Sequence, residues 1–124
     1  MTRPEIHPQE PAIDFSDLLA RVENDRELLL DLIAMFREEF PRQRQILQTA
    51  VDAEDMKQAH ATGHALKGIF ANLAMTRAAK AAARIEQAGK EQDATKLKAA
   101  LITLDQETSS LFAELDRGLP DVQI

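Results

Sequence analysis

The sequence predicts an all-α domain, an antiparallel up-down four-helix bundle with a short N-terminal capping helix. Three observations lead there. Alanine, leucine, glutamate, lysine, glutamine and arginine dominate while β-branched residues are sparse, a composition that favours helix over strand. Apolar residues recur at spacings of three and four through successive segments, the period of a helix with one buried stripe. The breaks between those segments are short, which makes consecutive helices antiparallel neighbours.

Residues 1–12 contain Pro4, Pro8 and Pro11 and no apolar period, so they are expected to form a flexible tail. Asp14 or Ser16 can cap a short helix reaching about Val22, with Phe15, Leu18, Leu19 and Val22 as its apolar side. Asp25 follows an Asn24–Asp25 break and is the expected N-cap of a long helix. Its stripe is Leu29, Leu32, Ile33, Phe36, Phe40, Leu47 and Val51. Pro41 interrupts this helix, because proline lacks the amide that bonds the carbonyl four residues back. The stripe resumes in phase after it, so a kinked continuous helix is expected.

A second break falls near Ala53, Glu54 and Asp55, and the next helix runs to Leu73 or Met75. Thr76 is the expected cap of the following helix, whose Ala79, Ala82, Ile85 and Ala88 or Gly89 make a narrow small-residue stripe suited to close packing. Gly89 and the polar run after it are expected to end that helix. Asp93 or Thr95 starts the last one, with Leu97, Leu101, Leu104, Thr108, Leu111 and Leu115 in near-heptad spacing. Gly118 and Pro120 stop it, so the folded domain is expected over 13–118, with 119–124 a C-terminal tail.

Composition removes several function classes. With 15 basic and 21 acidic residues the net charge is −6, which argues against nucleic acid as the main ligand. The absence of cysteine excludes disulfide and thiolate chemistry and agrees with a reducing compartment. No apolar run approaches the roughly 20 residues of a membrane span, and the first residues lack a signal peptide's apolar segment. A cytoplasmic, free-standing monomer is the expectation, with the apolar stripes consumed inside the bundle.

The chemistry concentrates between His64 and Leu73. On a helix turning about 100° per residue, Ala59, Leu66, Phe70 and Leu73 share one side, with Thr62, Gly63 and Ile69 at its margins. His64 points roughly 200° away from Leu66. Lys57, His60, Lys67, Gly68 and Ala71 share its direction. The helix therefore buries one stripe and displays a histidine flanked by cations and nearly bare positions. A neutral imidazole is a competent nucleophile near neutral pH. Lys67, one turn on, can offset negative charge on a group held there. Gly68 costs about 1 kcal/mol mid-helix relative to alanine, and a gain in access beside the imidazole explains that cost. Ala61, Ala65 and Ala71 extend the same low platform.

His64, Leu66, Lys67, Gly68, Asn72 and Leu73 resemble the signature of the histidine phosphotransfer (HPt) domain family, a His-x-Leu-Lys-Gly run ending in Asn-Leu-Gly on a bundle helix. The resemblance extends over about 13–116. Ile69 stands where the family usually has a small polar residue, and Ala74 where it usually has glycine. The resemblance implies a phosphorelay carrier that takes a phosphoryl group onto His64 from one receiver-domain aspartate and passes it to another. It implies a hybrid histidine kinase and response-regulator receivers as partners, and no cofactor of its own, since the receiver carries Mg²⁺. In the family a polar residue of the following helix orients the histidine; Glu86 and Gln87 are both candidates here. Asn72 belongs either to the docking surface or only to the helix end.

Other readings compete. His60 and His64, at i and i+4, have metal-ligand spacing, but Ala61 stands where a zincin has glutamate and no third ligand is evident, so no metal site is expected. A helical adaptor that binds a receiver or a partner helix without being phosphorylated is the second reading. A conventional enzyme is a distant third, for no carboxylate pair, nucleophile–base set or phosphate-cradling glycine loop accompanies the histidine.

Overall fold

The structure, a computed structural model, describes residues 10–118. These form five helices, with no strand among the described residues: α1 (Phe15–Arg21), α2 (Arg26–Asp52), α3 (Met56–Asn72), α4 (Thr76–Glu91) and α5 (Ala94–Arg117). The all-helical class read from composition and period is therefore correct.

Four of the five helices begin alike. Asp14, Asp25, Asp55 and Asp93 are N-caps whose carboxylates accept the amides of Asp17, Leu28, Gln58 and Lys96, satisfying donors that no helical carbonyl can reach. The exception is α4. Thr76 is its first residue rather than its cap, and Met75 occupies the cap position with no side-chain bond. Met75 is fully buried, so core packing rather than a polar cap decides that position.

The turn before Met75 explains the tight entry. The Met75 amide bonds Phe70 O at 2.9 Å and the Ala74 amide bonds Ala71 O at 3.2 Å, the paired bonds of a Schellman ending. Ala74 holds φ +57°, a left-handed conformation that glycine adopts more readily. Glu54 and Gln92 are also left-handed where α2 and α4 end. The helix α4 ends at Glu91, inside the polar run expected to end it, and Gly89, one of the two candidates for the small-residue stripe, packs within it. The first helix ends at Arg21, one residue short of Val22.

A single α2 runs through Pro41. Leu29, Ile33, Phe36 and Phe40 before the proline and Leu47 and Val51 after it are all buried, while Leu32 is half-buried. Phe36 and Phe40 meet Phe70 of α3 at centroid distances of 5.9 and 6.0 Å and Phe112 of α5 at 5.6 Å each. Such offset and edge contacts add to the burial of the rings and tie three helices at one level. The six α5 residues predicted to face inward are all buried.

Polar links fix chain direction. Arg37 pairs with Asp116 and Arg44 with Asp105 between α2 and α5, so position rises along one helix as it falls along the other. Arg77 pairs with Glu107 between α4 and α5. Arg21 of α1 donates to the Ala71 and Asn72 carbonyls at the end of α3.

One boundary differs from expectation. Residues 1–9 of the predicted N-terminal tail, and all of 119–124, lie outside the described residues. Ala12, the last residue assigned to the tail, is buried, and its amide donates to Glu114 at 2.8 Å, so ordered packing begins before position 13. Nor are all apolar side chains consumed in the interior. Met35 and Ile102 are 64% and 61% exposed, and Leu28, Leu30 and Ile46 are also exposed, because α2 and α5 carry apolar residues beyond the arc their neighbours cover.

Candidate functional site

The site is built where α3 and α4 cross. Two glycines set that crossing. A β-carbon on Gly63 would lie 2.7 Å from the Glu86 nitrogen, and one on Gly89 would lie 2.7 Å from the His60 nitrogen. The helices therefore touch main chain to main chain, running in opposite directions, and a short carboxylate on α4 reaches side chains displayed by α3. Leu66 and Phe70, both fully buried, hold the other side of α3 in the core, where truncation of such side chains costs about 2–5 kcal/mol.

His64 is 69% exposed, and its Nδ1 lies 2.8 Å from Glu86 Oε2. Lys67 Nζ sits 2.6 Å from Glu86 Oε1. One carboxylate thus holds both residues through its two oxygens. Glu86 is only 18% exposed, and the Lys67 and His64 hydrogen bonds hold its carboxyl below the usual carboxylate value of 4.5, outweighing the effect of burial. An ionised carboxylate can only accept, so the proton of neutral His64 resides on Nδ1. The lone pair is then on Nε2, the nitrogen not bonded to Glu86.

The alternatives left open in the sequence separate here. Glu86 reaches His64; Gln87 lies one position around α4 and donates to Glu91 at 2.8 Å. Gly68 is exposed, and a β-carbon there would meet nothing within 4 Å; Ala61, Ala65 and Ala71 are exposed as well. Asn72 is exposed at the last turn of α3 and offers its carbonyl to Arg21; it does not join the His64–Lys67–Glu86 cluster. Ile69 is half-buried against the core.

His60 departs most from expectation. It is half-buried rather than displayed like His64, and its Nδ1 lies 2.9 Å from the Glu86 carbonyl oxygen. Among the described residues no group of three or more His, Cys, Asp or Glu side chains has metal-site geometry. The two glycines are the residues that sequence reasoning undervalues: helix period alone puts Gly63 at a stripe margin and leaves Gly89 an alternative to Ala88 in a small-residue stripe. A glycine on the buried edge of each of two consecutive helices, the second helix already lined with alanine, is the signal the sequence offers.

The ridge presents one exposed imidazole, a lysine and a bare backbone position side by side, open to approach by another macromolecule. A model of the Hpt domain family matches residues 31–118, and the chain belongs to that family. It is therefore a phosphotransfer module of two-component systems, a carrier rather than a classical enzyme, and one that engages response-regulator receivers. No curated protein matches the chain. No described helix is long and apolar enough to cross a membrane.

Proposed function

We propose that His64 is the phosphoryl acceptor and donor of a phosphorelay, carrying the group between receiver aspartates. The observation that supports this most is the Glu86 bond at Nδ1, which leaves Nε2 unprotonated on a side chain that is largely exposed. The Nε2 lone pair attacks the phosphorus of an aspartyl phosphate, the acyl P–O bond breaks, and the receiver carboxylate leaves with the electron pair. The ring, still protonated at Nδ1, becomes a phosphorylated imidazolium whose positive charge Glu86 faces. The reverse step returns the group to a second receiver. The module needs no cofactor of its own in this reading; Mg²⁺ belongs to the receiver's acidic pocket.

In the same reading the domain, expected over 13–118 and extended to the packed Ala12, is an antiparallel four-helix bundle, with α1 as a cap over one end. Lys67 offsets phosphoryl charge, Gly68 with Ala61, Ala65 and Ala71 forms the platform on which the receiver sits, and Asn72 lies at its edge. A hybrid histidine kinase feeds the relay, and the carrier is a cytoplasmic monomer.

The test is incubation with a phosphorylated receiver. Label should arrive on the protein, be lost in mild acid and survive base, because protonation makes the phosphoramidate nitrogen a leaving group. His64→Gln should abolish labelling and leave helical content unchanged, since the side chain faces solvent. Receiver binding without any transfer of label would favour the adaptor reading instead.

A further inference from the structure

Three residues of α3, at spacings of four and three, all hold one residue of α4. His64 and Lys67 take the two carboxylate oxygens of Glu86, and His60 takes its main-chain carbonyl. A carbonyl oxygen can only accept, so His60 carries a proton on Nδ1 and donates it. The donor is held in place from the other side: the His60 nitrogen and Cα pack where any β-carbon on Gly89 would lie 2.7 and 2.9 Å away. His60 is therefore held at two points of α4 one turn apart, the carbonyl of Glu86 and the main chain beside Gly89, the first belonging to the residue whose carboxylate addresses His64.

We infer that His60 is a positioning residue for phosphotransfer, fixing the main chain of Glu86 so that its carboxylate stays aligned on His64 Nδ1. It touches neither the phosphoryl group nor the reacting nitrogen. The inference rests on His64 being the phosphoryl carrier only for its kinetic consequence; the alignment itself exists in the unphosphorylated protein. An unconstrained neutral histidine side chain in water prefers the proton on Nε2, the nitrogen that must be bare for attack. Any loosening of Glu86 lets His64 drift toward that unreactive tautomer, a loss for which substrate affinity is irrelevant. The effect should fall on the rate at saturating receiver rather than on KM.

The experiment compares the wild-type protein with His60→Leu, which keeps bulk and removes the donor, and His60→Asn, whose amide nitrogen can stand near the place of Nδ1. Long-range proton–nitrogen spectra of the imidazoles at pH 8 report each tautomer without any phosphorylation, and transfer from a phosphorylated receiver gives kcat and KM. In the wild type both His60 and His64 should carry the proton on Nδ1. His60→Leu should move His64 toward the Nε2–H form and lower kcat about fivefold, the scale of one uncharged hydrogen bond, with KM within about twofold; His60→Asn should recover most of both. Should the leucine variant not fold, His60→Met, equally without a donor and more adaptable in shape, takes its place. A wild-type spectrum with the His60 proton on Nε2 overturns the inference on its own. So does a folded His60→Leu protein with unchanged His64 tautomer and rate, or an asparagine variant as impaired as leucine. Failure of the wild type to accept label would overturn the carrier reading instead, and the tautomer comparison would still decide the role of His60.

Discussion

Gly63 meets Glu86 so closely that a β-carbon at position 63 would lie 2.7 Å from the Glu86 nitrogen and 2.9 Å from Ile85 Cγ2. Neither obstacle is the free end of a flexible chain: one is helix backbone and the other a branched core side chain. Gly63→Ala must therefore push α4 outward. The usual gain of about 1 kcal/mol from removing a mid-helix glycine is reversed, and a net loss of about 1–3 kcal/mol is expected from overpacking. Glu86 moves with the helix, so transfer should slow even in protein that remains folded. A melting temperature at or above wild type would contradict this crossing geometry.

Glu86 gives the site a pH signature. Its folded-state carboxyl titrates below 4.5 because Lys67 and His64 hydrogen-bond the ionised form. A depressed carboxyl stabilises the fold at pH values above its unfolded-state titration, and the stabilisation is lost as pH falls through the folded value. Wild-type stability should therefore exceed that of Glu86→Gln near neutrality, and the margin should shrink as pH falls below about 4.5. Parallel melts of the two proteins from pH 5 to pH 3 measure it; a margin that widened across that range would reverse the assigned direction.

Lys67 is held by Glu86 at 2.6 Å and is 40% exposed, so its pairing is largely solvent-screened and is worth at most about 1 kcal/mol. Its larger role is expected on the phosphorylated protein. Lys67→Ala should slow transfer or shorten the phosphohistidine lifetime about two- to fivefold, corresponding to that same energy scale, without abolishing labelling. Raising ionic strength should narrow the gap between the two proteins. Equal rates and lifetimes at low salt would return Lys67 to an ordinary surface lysine.

These residues also mark how far the sequence is legible. Helix period identifies the buried stripes because burial repeats with the backbone: Leu66 and Phe70 have to face opposite to His64, and they do. Asp14, Asp25 and Asp93 are readable as caps because a short acceptor before an apolar run has one common use. The turns are not readable in the same way, since the left-handed positions between helices hold Glu23, Asn24, Glu54, Ala74 and Gln92 rather than glycine. Choosing Glu86 over Gln87 requires the rotation of α4 about its axis, which two glycine contacts set and no single-helix pattern contains. The His60 bond is hidden for a related reason: its acceptor is a main-chain carbonyl on another helix, and such an atom has no residue type to recognise.

Gly68 gives the opposite test to Gly63. It lies one turn after His64, exposed, with nothing within 4 Å of where a β-carbon would stand. Gly68→Ala therefore meets no obstacle and should raise stability by up to about 1 kcal/mol, by removing the unfolded-state freedom of glycine. Gly68→Gln should fold comparably, because glutamine is a good helix former and its side chain would extend into water. Function should separate the two. The glutamine side chain projects beside the imidazole into the space a receiver must occupy, so it should weaken receiver binding and slow transfer far more than alanine does. Thermal melts and transfer rates on both variants make the comparison. If a well-folded Gly68→Gln protein transferred label at the wild-type rate, the receiver would have to approach His64 from a direction that avoids Gly68, and Ala61, Ala65 and Ala71 would lose their place in the docking platform with it.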